Sequence, residues 1–299
     1  DQLTYQPNAN FNGVDTFTYV FGDGNGNTAL ATVSVTVSGI NDAPVNTVPG
    51  SGQTTAEDTA KTFSSANSNA FSVADVDAGT ADIQVVFTST NGTVSLVNGA
   101  GVTVSGGGSA SMTLTGSQAN INTALAAGLT YTPTLNFSGS GSIVMATSDQ
   151  GNSGAAPSGQ TNPLRDTDTV SISITAVNDA PVNTVPSNPQ TDEGVAVTLT
   201  TLSVADVDAG SGQIKTTLSV TAGSGVLQLL STSGVTVTGN NSVSVQITGT
   251  VTAINTALAG GVRFTPATGF AGDTTLTMLT DDQGNTGSGG AKTDTDAVT

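Results

Sequence analysis

Asp75 and Asp77 in ADVDAG, and Asp206 and Asp208 in an identical hexapeptide further on, each set two carboxylates one residue apart. In a loop that spacing lets both side chains aim to one side. Oxygen-only ligands on flexible loops suit Ca2+, which takes about 6–8 of them at about 2.3–2.6 Å, whereas Mg2+ demands a stricter octahedron. More acids recur around each pair: Asp42, Asp149, Asp166 and Asp168 around the first; Asp179, Asp281, Asp282, Asp294 and Asp296 around the second. With the pairs included, 13 of the 22 acids fall in segments that read as loops able to meet at one end of a domain. Only 5 residues are Lys or Arg, so carboxylates gathered there repel one another unless an ion neutralises them. Plain turn chemistry, with Asp bonding its own backbone, is the alternative. Recurrence of several acid motifs within one repeating unit favours the ion. For Asp166, Asp168, Asp294 and Asp296, a turn explains the residues as well as ligation does.

Other chemistries drop out by composition. The chain has no Cys, His or Trp and a formal net charge of -17. Thiol and imidazole catalysis, Cys/His zinc sites and disulfides are excluded, and a basic footprint for nucleic acid is absent. No apolar run approaches the roughly 20 residues of a membrane span. GDGNGN at 22–27 is glycine-rich, but no Lys follows it and no βα unit surrounds it, so phosphate binding is not indicated.

The elements that must position the acids repeat. INDAPVNTVP at 40–49 returns as VNDAPVNTVP at 177–186, NINTALAAGLTYTP at 120–133 as AINTALAGGVRFTP at 253–266, and SDQGNSG at 148–154 as DDQGNTG at 281–287. The repeat is domain-sized. LTYQPNANFNG at 3–13 matches LTYTPTLNFSG at 129–139, which is late in the unit. Three domains are therefore expected: 1–44, the C-terminal part of one; 45–181, complete; and 182–299, lacking its last strand. The cut repeats suggest a piece of a longer array. Val170, Ile172 and Ile174 alternate with polar residues, as do Val33, Val35 and Val37, and Val243, Val245 and Ile247, while Phe17, Tyr19 and Phe21 share a face. Such period-2 alternation between Gly, Asn and Asp turns predicts antiparallel sandwiches with one buried face per sheet. Ser117 is placed to cap one short helix, with Ile121 and Leu125 on its core face and Gly128 at its end.

With N-D-A-P at the junctions, A-x-D-x-G early and A-x-S-D-x-G-N before the last strand, the chain resembles bacterial cadherin-like and VCBS-type repeats. These build the extenders of type I-secreted adhesins. The resemblance covers essentially the whole chain and implies an all-β array of Ig-like or cadherin-like sandwiches, each with one short helix. It further implies calcium between consecutive domains. The first junction would use Asn41, Asp42, Asp75, Asp77 and Asp149; the second would use Asn178, Asp179, Asp206, Asp208 and Asp282. Glu57 resembles a Glu near the first strand that serves the junction at the far end of its own domain. Asp15 and Asp273 resemble a lower-loop acid of the family, where the middle domain has Ser140.

The function that follows is a non-catalytic, calcium-rigidified extender of a large extracellular bacterial adhesin, acting in cell adhesion and biofilm. Its partners are neighbouring repeats of the same longer chain and other copies of itself, without nucleic acid or membrane insertion. The alternatives are a subunit of a self-assembling filament or surface array, and a glycan- or protein-binding module. Aromatics at 4% argue against a sugar platform. A glycosidase pair should be unique, yet the Asp pairs here are duplicated.

Overall fold

A computed structural model describes residues 2–299. The chain is all-β, built of tandem antiparallel sandwiches, and it divides into two compact units, Asp1–Ile174 and Thr175–Thr299. Unit 1 opens with a hairpin of β1 (Gly13–Gly22) and β2 (Thr28–Val37). Its body begins with β3 (Val45–Thr47), β4 (Gln53–Ala56), β5 (Lys61–Phe63), β6 (Ser72–Ala74), β7 (Asp82–Thr90) and β8 (Gly92–Leu96). It continues with β9 (Thr103–Ser105), β10 (Ser111–Ser117), α1 (Gln118–Ala127), β11 (Leu129–Pro133), β12 (Gly139–Ser148) and β13 (Arg165–Thr175). One sheet has the order β4-β13-β12-β7-β10-β9, the opposing one β5-β11-β8, and β3 pairs with β6.

Unit 2 repeats the plan. It runs β14 (Val182–Thr184), β15 (Val197–Leu199), β16 (Ser203–Ala205), β17 (Ile214–Val220), β18 (Gly225–Leu229) and β19 (Thr236–Thr238). Then follow β20 (Ser244–Gly249), α2 (Val251–Ala259), β21 (Val262–Pro266), β22 (Leu276–Asp281) and β23 (Thr293–Val298). Its sheets are β19-β20-β17-β22-β23, β15-β21-β18 and β14-β16. In the segment from 182, β23 pairs with β22 over six residues where β13 pairs with β12 over ten.

The alternating strands bury the side chains they should. Val170, Ile172 and Ile174 lie in the core with Met112, Leu114 and Ile143, and in unit 2 Val245 and Ile247 do the same. Val243 stands one residue before β20 and is exposed. Tyr19 and Phe21 also stay exposed, because β1 and β2 form a sheet of two strands and, among the described residues, no second sheet covers it. Phe71 meets Phe63 and Phe87 edge-on, with centroids 5.3 and 5.4 Å apart, an arrangement worth about 0.5–1.5 kcal/mol per pair beyond burial. Ser117 caps α1 from an extended backbone by accepting from the Asn120 N–H, and Ile121 and Leu125 are fully buried. Thr250 caps α2 in the same way, over Ile254 and Leu258.

Candidate metal centres

Each acid pair begins where β6 or β16 ends, and a helix holds that strand in place. Asn122 of α1 accepts from the Val73 N–H at 2.9 Å and donates to the Val73 carbonyl at 2.8 Å. Asn255 of α2 makes the same two bonds to Val204, at 2.9 and 2.7 Å. Two residues on from Val73, the Asp75 N–H donates to Gln118 Oε1 at 2.8 Å. Asp75 Oδ1 then folds the loop by accepting from the Asp77 and Ala78 N–H groups at 3.2 and 3.1 Å. Asp206 Oδ1 does likewise with Asp208 and Ala209, at 3.0 and 2.9 Å. Sequence reasoning missed Asn122 and Asn255. The available signal was an Asn kept beside the buried Ile in both copies of I-N-T-A-L.

The linkers are bound by backbone. The Asn41 N–H donates to the Ala155 carbonyl at 2.9 Å and the Ala155 N–H to the Gly39 carbonyl at 3.3 Å, forming a parallel bridge between Ile40 and Ala155. Asn178, Ser288 and Ala176 repeat it at 2.8 and 3.0 Å. Gly154 (φ 72°) and Gly287 (φ 86°) permit the approach: a Cβ on either would stand 2.7 or 2.6 Å from linker backbone. The next linker residue reaches the acid pair. The Asp42 N–H donates to Asp77 Oδ2 at 3.0 Å, and the Asp179 N–H donates to Asp208 Oδ2. Asn41 Nδ2 donates to Asp149 Oδ2 at 2.5 Å, and Asn178 Nδ2 donates to Asp282 Oδ2.

Thus Asn41, Asp42, Asp75, Asp77 and Asp149 are tied into one network in unit 1, and Asn178, Asp179, Asp206, Asp208 and Asp282 into its counterpart in unit 2. A cleft of about 400 Å3 beside the first is lined by Asn10, Asp42, Val45, Asp75, Val76 and Gln118. Burial, and then the neighbouring Asp77, push the Asp75 carboxyl up to about 6. Burial also raises Asp206, and the charges of Asp282 and Asp208 add to it. Among the described residues the one ion pair, Lys215 with Asp281 at 3.5 Å, involves neither Asp75 nor Asp206.

Several buried oxygens in these networks have no hydrogen-bond partner. They are Asn41 Oδ1, Asp75 Oδ2, Asp77 Oδ1 and Ser153 Oγ in unit 1, where the Ser153 hydroxyl still stands close enough to help lower the Asp77 carboxyl, and Asp179 Oδ2 and Asp206 Oδ2 in unit 2. Asn41 is 1% and Asp75 8% exposed, so water does not serve them freely. Among the described residues, no other buried side-chain nitrogen or oxygen is without a partner. A buried acceptor left without a donor costs about 1–3 kcal/mol, and more when charged. All these atoms are oxygens, which fits a hard cation. Still, among the described residues no group of three or more carboxylates is assembled that could by itself hold a metal ion.

The remaining expected ligands lie elsewhere in the hydrogen-bond pattern. Asp166 and Asp168 were expected in a loop and stand in β13. Asp166 Oδ2 accepts from the Asn46 N–H at 2.7 Å and Oδ1 from the Thr167 N–H at 2.8 Å, so this side chain anchors β3. Asp294, in β23, does the same for Asn183 at 2.7 Å. Glu57 is buried just beyond β4. Its neighbour Asp58 accepts from the Asn136 N–H, which places both near the start of β12, at the opposite end from Asp149.

Residues 1–36 match the family of bacterial Ig domains. The comparison with curated proteins gave no match. Among solved structures the chain resembles the extracellular cadherin domains 1–5 of protocadherin gamma B2, at 14% identity over 95% of this chain and 45% of that one, with a TM-score of 0.39. Domains 1–3 of mouse protocadherin-24 align at 13% identity over 95% and 78%, with a TM-score of 0.33. An endo-fucoidan hydrolase of glycoside hydrolase family 107 aligns at 17% over 97% and 34%, with a TM-score of 0.25. The chain thus spans less than half the length of the first of these. No helix among the described residues is long and apolar enough to cross a membrane.

Proposed function

We propose that this chain is a non-catalytic, calcium-rigidified extender segment of a large bacterial cell-surface adhesin, working outside the cell in adhesion and biofilm. The observation that carries the reading is the set of unpartnered buried oxygens. Every one of them lies where a linker meets an aspartate pair. In unit 1, Asn41 Oδ1, Asp75 Oδ2 and Asp77 Oδ1 would hold the ion, with the exposed carboxylate of Asp42 alongside. In unit 2, Asp179 Oδ2 and Asp206 Oδ2 would begin the set, with Asp208 and Asn178 alongside. A bound calcium ion supplies positive charge and a cross-link. The chain's own residues do the rest. The linker backbone is already bridged to its loop, and the acid pair is already docked on a helix. Ligation from both sides then removes the remaining freedom of the linker.

Thermal melts of the full chain test this. With site Kd values of 10⁻⁴–10⁻³ M, typical of extracellular modules, calcium at ten to a hundred times Kd adds about 1–3 kcal/mol per site. Magnesium at the same concentration should restore much less. Identical melts in chelator and in calcium would remove the proposal. Equal rescue by both ions would replace it with diffuse screening.

A further inference from the structure

Asp149 and Asp282 differ from the other acids of their networks in having both oxygens engaged. Asp149 Oδ1 accepts from the Gly151 N–H at 2.8 Å and the Leu164 N–H at 2.9 Å, and Oδ2 accepts from Asn41 Nδ2. Asp282 Oδ1 accepts from the Gly284 N–H at 2.7 Å and the Lys292 N–H at 2.8 Å, and Oδ2 accepts from Asn178 Nδ2. Each is 1% exposed, and neither has an unpartnered atom. The donors come from three places: the turn after β12 or β22, the residue just before the following strand, and the linker.

The linker Asn is the other half of the device. An amide bonded through its nitrogen has its oxygen fixed on the opposite branch. Asn41 Nδ2 is taken by Asp149 and by Asn162 Oδ1 at 3.0 Å, which leaves Oδ1 unpartnered and buried. We infer that Asp149 and Asp282 are positioning residues, not calcium ligands: both clamp the linker without an ion, and Asp149 aims the Asn41 amide oxygen at the site. This rests on the calcium reading for the aim, and on hydrogen bonds alone for the clamp. Outer partners that orient a ligand typically alter metal affinity by about 10–100-fold when removed.

The experiment compares two double variants of the full chain, Asp149→Asn with Asp282→Asn and Asp77→Asn with Asp208→Asn, by melts in chelator and by calorimetric calcium titration. The first should melt below the parent in chelator and bind the parent's number of ions with affinity weakened roughly 10–100-fold. The second should melt no lower than the parent in chelator and bind fewer ions. If the first pair melts like the parent in chelator and loses ions, Asp149 and Asp282 are ligands and the inference fails. A lower melt with unchanged affinity also overturns it, leaving them merely structural. A flat titration of the parent would defeat the calcium reading and the aim with it, while the chelator melts still judge the clamp. Asn41→Ala with Asn178→Ala guards against misfolding. Combined with the Asp149 and Asp282 variants, it should lower the chelator melt by less than the sum of the two sets, because they share the Asn41–Asp149 and Asn178–Asp282 bonds. Additive losses would overturn the pairing.

Discussion

Asp75 is where burial bears most on a carboxylate of the network. Its carboxyl is pushed up to about 6, first by burial and then by Asp77, whereas in an unfolded chain it titrates near about 3.9. The folded state therefore holds the proton more tightly, and that contribution is full at low pH and lost as pH rises through about 6. Ion-free protein should melt higher at pH 5 than at pH 7.5. With saturating calcium the order should reverse, since the ion needs ionised carboxylates. The same order with and without calcium would mean that Asp75 does not face the ion. At this scale the acids that the loops gather were legible because carboxylates recur at fixed spacing. The division of labour between Asp77, with an open oxygen, and Asp149, with none, was not legible. It depends on which N–H groups a loop delivers, and spacing carries no trace of that.

Helix and strand pairing supply the next level. Asn122→Ala and Asn255→Ala each strand the N–H and carbonyl of one buried strand residue, at about 1–3 kcal/mol per group. Denaturant midpoints should fall, and calcium should bind more weakly because the acid loop loses its support. The glycine clasp is a steric case. Gly154→Ala should destabilise by about 1–3 kcal/mol more than Gly159→Ala. Both have positive φ, but only at Gly154 does a Cβ meet linker backbone. Matching midpoints for the two variants would show that the loop yields. Alternation and capping made most elements legible, including both helices. The strand through Asp166 and Asp168 was not, since an Asp-Thr-Asp-Thr run shows no apolar period. Its cross-strand partners on β12, Met145 through Ser148, decide the matter. The hairpin aromatics failed for the converse reason, a correct pattern with no second sheet to bury it.

For the molecule as a whole the repeat was the most informative signal, because two copies of every motif separate what a module needs from what one loop happens to contain. It also exposes differences: Gln118, which accepts from Asp75, is Val251 in the other copy. If calcium stiffens the linkers, solution scattering of the full chain should show a shorter, broader distribution of lengths in chelator than in calcium. Asp208→Ala should shift the calcium curve the same way without unfolding a sandwich, as that side chain occupies a loop and no core volume. An unchanged curve for the variant would move weight to lateral assembly. The route of the chain out of the first body has a mechanical side. β13 lies against β12 over the register from Gly139↔Ile174 to Ser148↔Arg165, and its last residue is two positions before Val177, which is bridged to Ser288. Tension drawn along β13 meets that ladder lengthwise, so its hydrogen bonds resist together in shear and cannot peel open one after another.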